Sequence, residues 1–138
     1  MANPDALVIG ADTEVVLDDR VFGKPAAAGE AAAMLRDLGG RKPPVVSVVW
    51  MLSAGREQRA ESISEVRVAA LNEAAIAGYV ATGEWRGKAG GYAIQGRAAM
   101  FVEHLSGSYS GVMGLPLFET AQLLHAFGMK QGLEAWGW

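Results

Sequence analysis

Apolar and polar positions divide this chain into short strand-like and helix-like stretches. Leu7 to Ile9 is apolar, and Glu14 to Leu17 runs into Asp18-Asp19 and returns over Arg20 to Phe22, a pattern that predicts a strand followed by a hairpin. Gly10-Ala11-Asp12-Thr13 separates the two apolar stretches, which puts Asp12 and Thr13 near a bend at a strand end, where α/β proteins commonly bind ligands. From Pro25 an alanine-rich run reaches Leu38 and stops at Gly39-Gly40; Ala31, Met34, Leu35 and Leu38 share one face, so this is a helix, and Ala26 to Ala28 offers it no side-chain cap. Val45 to Leu52 is a nearly continuous β-branched run and Ser62 to Val68 alternates polar with apolar, which predicts two paired strands. Asn72 caps a helix that lasts to Thr82 and ends at Gly83. A glycine-rich loop from Gly83 to Gly96 leads to a strand over Ala98 to Leu105, and Pro116 opens a last helix that ends at Phe127 before Gly128. The pattern is α/β, organised as one domain over 1–128 with 129–138 as a tail.

Composition narrows the classes. With 138 residues, of which 51% are hydrophobic, the chain is long enough to bury a core. The absence of cysteine excludes a disulfide scaffold, a thiolate metal site and cysteine catalysis, and fits a reducing compartment. A net charge of −3 gives no sign of a nucleic-acid partner. No apolar run approaches the roughly 18 residues of a spanning helix, and the first residues are too polar for a signal peptide, so the expectation is a cytoplasmic protein with no membrane partner.

Candidate chemistry gathers in the glycine-bearing segments. Asp12 can bind a divalent cation or take a proton from water, although a lone aspartate also suits a turn. Lys24, confined between Gly23 and Pro25, and Lys88, at the head of Lys88-Ala89-Gly90-Gly91, suit phosphate oxygens as well as solvent. Gln95 presents a donor and an acceptor, the complement of a uracil or thymine edge, though such an amide also pins loops. Arg97 is equally a solvated flank. His104 and His125 have no partner at metal-ligand spacing, and Ser106, Ser108 and Ser110 form a turn-like cluster without a nucleophile motif. Trp85, beside the loop, lines a pocket or packs. Together these groups suit a phosphorylated ligand that carries a base.

Five ordered segments carry a resemblance to a known family: Val8 to Thr13, Gly23-Lys24-Pro25, Tyr79 to Glu84, Lys88 to Gly96, and Gly114-Leu115-Pro116-Leu117. Over about Leu7 to Phe127 the chain resembles the Maf nucleoside triphosphate pyrophosphatases, and its Gly-Ala-Asp-Thr and Ile-Gln-Gly forms are similar to the subgroup acting on dTTP and UTP. The resemblance implies a mixed sheet flanked by helices, of the Maf and inosine triphosphate pyrophosphatase type, and a homodimer. It implies a magnesium or manganese cofactor and Asp12 as proton acceptor and metal ligand. It also implies Thr13 and Gln95 as base-selecting residues, and Lys24 and Lys88 as phosphate contacts.

The departures from the family pattern are specific. Members of that family carry, ahead of the first segment, a further strand, a Ser-x-Ser-x-Arg-Arg phosphate loop and a helix, so a start at Met1 predicts an N-terminally truncated domain with a bare sheet edge and an exposed apolar face. Pro43 stands where the family has histidine, Val48 where it has glycine, Gly87 where it has aspartate and Gly111 where it has asparagine. Two readings follow: an active dTTP/UTP pyrophosphatase, or a catalytically weak or inactive homologue that serves as a nucleotide-binding or interaction module.

Overall fold

The structure, a computed structural model, describes residues 6–128. The expected tail, with Trp136 and Trp138, lies outside the described residues. The strands are β1 (Val8–Leu17), β2 (Arg20–Phe22), β3 (Pro44–Ser53), β4 (Arg56–Val68) and β5 (Val102–Ser106), and the helices are α1 (Ala28–Leu38), α2 (Glu73–Ala81), α3 (Tyr109–Met113) and α4 (Leu117–Ala126). The strands form one sheet in the order β2-β1-β3-β4-β5. Where a mixed sheet was expected, every pairing among the described residues is antiparallel.

Two tight hairpins set the register. Asp18 and Asp19 have φ of 49° and 64°, and Ala54 and Gly55 have φ of 52° and 76°, so both central residues of each turn are left-handed, which matches the twist of the paired strands. Leu17 is thereby set against Arg20 and Ser53 against Arg56. Pairing then continues along the full length of β3, from Val8 opposite Leu52 to Val15 opposite Val45.

This pairing revises the local reading of the first segment. Asp12 and Thr13 were expected near a bend at a strand end, and they lie instead in the middle of an unbroken β1, opposite Val48 and Ser47. Glycine and aspartate disfavour strands locally, but a long β-branched partner offers each backbone group a ladder bond, and that outweighs the local preference.

Alternation assigns the two faces of the sheet. Val45, Ser47, Val49 and Met51 of β3 and Ser62, Ser64, Val66 and Val68 of β4 are buried beneath the helices. Leu35 and Leu38 of α1, with no exposed surface, pack with Val15, Val45, Val66, Tyr79 and Tyr92, while Leu123 of α4 packs on Val49 and Met51. The opposite face leaves Val8, Leu52 and Ile63 exposed. On the side away from β3, β1 pairs with β2 only through Val15 to Leu17, so residues 8–14 have no strand partner there among the described residues.

The helices begin as their sequences dictate. The Asn72 side chain accepts the Ala75 N–H at 2.8 Å and caps α2. Ala27 provides no side-chain cap for α1, as expected, and the Glu30 carboxylate instead accepts the Ala26 N–H at 3.3 Å. Two segments differ from expectation. The strand expected over Ala98 to Leu105 is a 3₁₀ turn at Arg97–Phe101 followed by β5, because buried Ala98 and the Ala99 N–H bond to Gly96 O close a turn before strand pairing begins. The serine cluster read as a turn runs from the end of β5 into α3: Ser106 closes the strand, Ser110 lies in the helix, and the Ser108 hydroxyl caps it by accepting the Gly111 N–H at 2.9 Å. No helix among the described residues is long and apolar enough to cross a membrane.

Candidate active site

A cavity of about 160 Å³ lies at the unpaired edge of β1. Asp12, Thr13, Lys24, Lys88 and Gln95 all line it, so residues that are up to 83 positions apart in the chain meet in one place. Their supports differ.

Strand alternation turns Ala11, Thr13 and Val15 toward the helices and Asp12 and Glu14 toward the opposite face. The cavity's position at the strand edge is what lets neighbours of opposite orientation both line it. Asp12 is exposed, and among the described residues it forms no ion pair within 4.0 Å. Val48, where the family pattern has glycine, stands directly across from it.

The two lysines come from loops that one backbone bond ties together. The Gly90 N–H donates to Gly23 O at 3.1 Å, which holds the exit of β2 against the glycine-rich loop and brings the Lys24 and Lys88 segments side by side. Gly90 has φ of +75°, and a Cβ there would stand 2.9 Å from Val15 Cγ2 and 3.3 Å from Leu38 Cδ1. The close approach of the loop to the core therefore requires glycine. Lys24 is exposed and Lys88 half-buried, and neither forms an ion pair among the described residues, so both ammonium groups are available to an anion.

Gln95 is exposed at the end of a buried stretch, Tyr92, Ala93 and Ile94. The loop beneath it is held by the Tyr79 hydroxyl, which accepts the Ala93 N–H at 2.8 Å, and by Glu84, which accepts the Arg97 N–H at 2.9 Å. Burial pushes the Tyr79 phenol up to about 12, and burial together with the nearby Tyr79 raises Tyr92 further; both stay neutral near pH 7. Trp85 is packed, with its indole N–H donating to Val80 O at 2.9 Å, and it does not line the cavity. Arg97 is likewise absent from the lining, and it faces Glu84 at 4.0 Å.

Of the far wall, sequence reading singled out only Gly114, through its resemblance segment, and assigned it no place in the site. Val112, Met113 and Gly114, at the end of α3, line the cavity, and the Thr13 hydroxyl bonds to the hydroxyl of Ser47, a buried residue of β3. The available signal was a lone serine at an inward position of the run Val45 to Val49. Tyr92 also lines the cavity, and its hydroxyl oxygen is buried without a hydrogen-bond partner among the described residues. Tyr92→Phe is therefore expected to raise stability by about 1 kcal/mol, because it removes a polar group whose burial is uncompensated. A urea titration checks this, and a fall in the midpoint would mean that the phenol has a bound partner in solution.

Comparison with known proteins gives a consistent result. The family model for Maf-like proteins matches residues 1–127. A dTTP/UTP pyrophosphatase of Xanthomonas axonopodis pv. citri is 59% identical over 128 residues, covering 92% of this chain and 67% of the relative. A dTTP/UTP pyrophosphatase of Aromatoleum aromaticum is 52% identical over 125 residues, covering 91% and 61%, and a nucleoside triphosphate pyrophosphatase of Xylella fastidiosa is 59% identical over 121 residues, covering 87% and 64%. The chain thus spans about two thirds of the length of the relatives it matches. With a family match along nearly its whole length, and with four of the five segments of the resemblance lining one cavity while Tyr79 and Glu84 of the fifth brace the loop that carries Gln95, this chain belongs to the Maf family.

Proposed function

We propose that this chain hydrolyses dTTP and UTP to the nucleoside monophosphate and pyrophosphate. Water attacks the α-phosphorus, the bond from that phosphorus to the bridging oxygen of the β-phosphate breaks, and pyrophosphate leaves. The observation that carries this reading is the convergence of one carboxylate, two unpaired lysines and one amide on a single cavity, in a chain whose relatives bear that name.

Asp12 is the group that accepts the proton of the attacking water, since it is a carboxylate held on a rigid strand with no competing ion pair. Lys24 and Lys88 sit against the triphosphate oxygens, where fixed positive charge favours the more highly charged transition state. Gln95 reads the base through its amide. A divalent cation, when bound, neutralises charge on the triphosphate. No group of three His, Asp or Glu side chains converges among the described residues, so Asp12 would hold such an ion with the substrate phosphates supplying the other oxygens, a mode that suits magnesium.

The test is pyrophosphate release from dTTP, UTP, CTP, GTP and ITP with magnesium or manganese. Selective release from dTTP and UTP is the expected result. A folded chain that releases none would instead support the reading of an inactive nucleotide-binding homologue.

A further inference from the structure

The hydroxyl groups behind the cavity wall form a chain whose proton positions are determined by their partners. Ser47, 1% exposed, lies 2.5 Å from Gly111 O. A carbonyl oxygen only accepts, so Ser47 donates its single hydroxyl proton there. Thr13 Oγ1 stands 2.7 Å from Ser47 Oγ. With the serine proton already committed, that contact is a hydrogen bond only if Thr13 donates. The other protein acceptor near Thr13, Gly114 O, is at 3.3 Å and competes for the same proton. In either arrangement Thr13 has no proton left for the cavity, and it presents lone pairs alone.

We infer that Thr13 is an acceptor-only contact for the ligand, that Ser47 is the positioning residue that makes it so, and that the pair selects a ring with an imide N–H over one with a bare nitrogen. This rests on the nucleotide reading above and deepens it. The Thr13 end of the cavity is walled by Val112, Met113 and Gly114 and adds no charged side chain from α3, whereas Lys24 and Lys88 belong to the loops joined at Gly23 and Gly90, so the neutral part of a nucleotide fits against Thr13. Uracil and thymine both carry a proton on N3, between two carbonyl groups, and cytosine carries a lone pair at N3. Two lone pairs facing each other repel, so a hydroxyl fixed as an acceptor rejects cytosine without a steric clash. A freely rotating hydroxyl serves either ring, and on its own it does not discriminate.

The experiment compares UTP, CTP and N3-methyl-UTP in the wild type, Ser47→Ala, Ser47→Thr and Thr13→Val. UMP and CMP binding is followed by calorimetry in parallel, so the preference can be read even if no nucleotide turns over. Expected is a preference for uracil over both other rings in the wild type. In Ser47→Ala that preference falls about tenfold, because the 3.3 Å contact to Gly114 O alone holds the Thr13 proton weakly, while kcat for UTP stays within about twofold. Ser47→Thr, which keeps the hydroxyl, retains the preference. Thr13→Val removes the acceptor and the preference together, and it covers the case in which Ser47→Ala does not fold. Equal binding of UMP and CMP by the wild type overturns the inference. So does an unchanged preference in folded Ser47→Ala, or in Thr13→Val when Ser47→Ala is unfolded. Absence of turnover on every nucleotide, with the UMP preference intact, would count against the proposed hydrolysis and leave this inference standing.

Discussion

Asp12→Asn is expected to lower turnover of dTTP and UTP by about 10²- to 10⁴-fold, the range associated with loss of a general base, with the thermal midpoint nearly unchanged. The side chain is exposed, forms no ion pair among the described residues, and stands on a strand whose pairing with Val48 runs through the backbone. Asparagine keeps the shape and loses the basicity, so the chemistry is altered while the packing is not. The informative comparison is kcat against substrate affinity: a loss confined to kcat identifies a group that acts on the reacting water, whereas a rise in KM at constant kcat would reassign Asp12 to binding. Activity within twofold of the wild type would remove it from both roles.

Gly90→Ala is expected to destabilise the fold by about 3 kcal/mol, from left-handed backbone strain plus overpacking of a filled site. The new methyl would come within 2.9 Å of Val15 Cγ2, and Val15 and Leu38 are both buried in the main core, so neither can step aside cheaply. For a chain of this size that corresponds to a fall of about 10 °C in thermal midpoint. Gly87→Ala provides the control. It has φ of +71° but open space where a Cβ would go, so only the backbone cost remains, about 1 kcal/mol. Equal losses in the two variants would mean that the contact with Val15 relaxes freely. Gly90→Ala should also raise KM more than Gly87→Ala, because the Gly90 N–H bond to Gly23 O is what brings the Lys24 and Lys88 segments together.

Much of the molecule was legible in its sequence because the signals are local. Asn72 caps α2 through its own side chain, Pro116 precedes α4, and the inward and outward positions of β4 follow directly from alternation over Ser62 to Val68. The five candidate site residues were legible for a different reason: each stands in a segment where glycine or proline restricts or frees the backbone, and those segments carry the family resemblance. What misled was also local. Gly10 and Asp12 read as a bend because both residue types favour turns, and Ala98 to Leu105 read as a strand from its apolar content alone.

The chain by itself therefore determined the α/β class, the existence of most elements and the identity of the residues that carry charge to the cavity, since these depend on side-chain chemistry and short-range periodicity. Tertiary structure decided the rest. It was the full-length partner strand β3 that drew Asp12 and Thr13 into the middle of β1, and the φ of +75° at Gly90 that let one loop reach the core and meet another. Ser47 sits 34 positions from Thr13, and Gly111 a further 64 positions beyond Ser47. Which way a hydroxyl proton points depends on acceptors that only the folded chain brings within reach, and no local pattern encodes that direction.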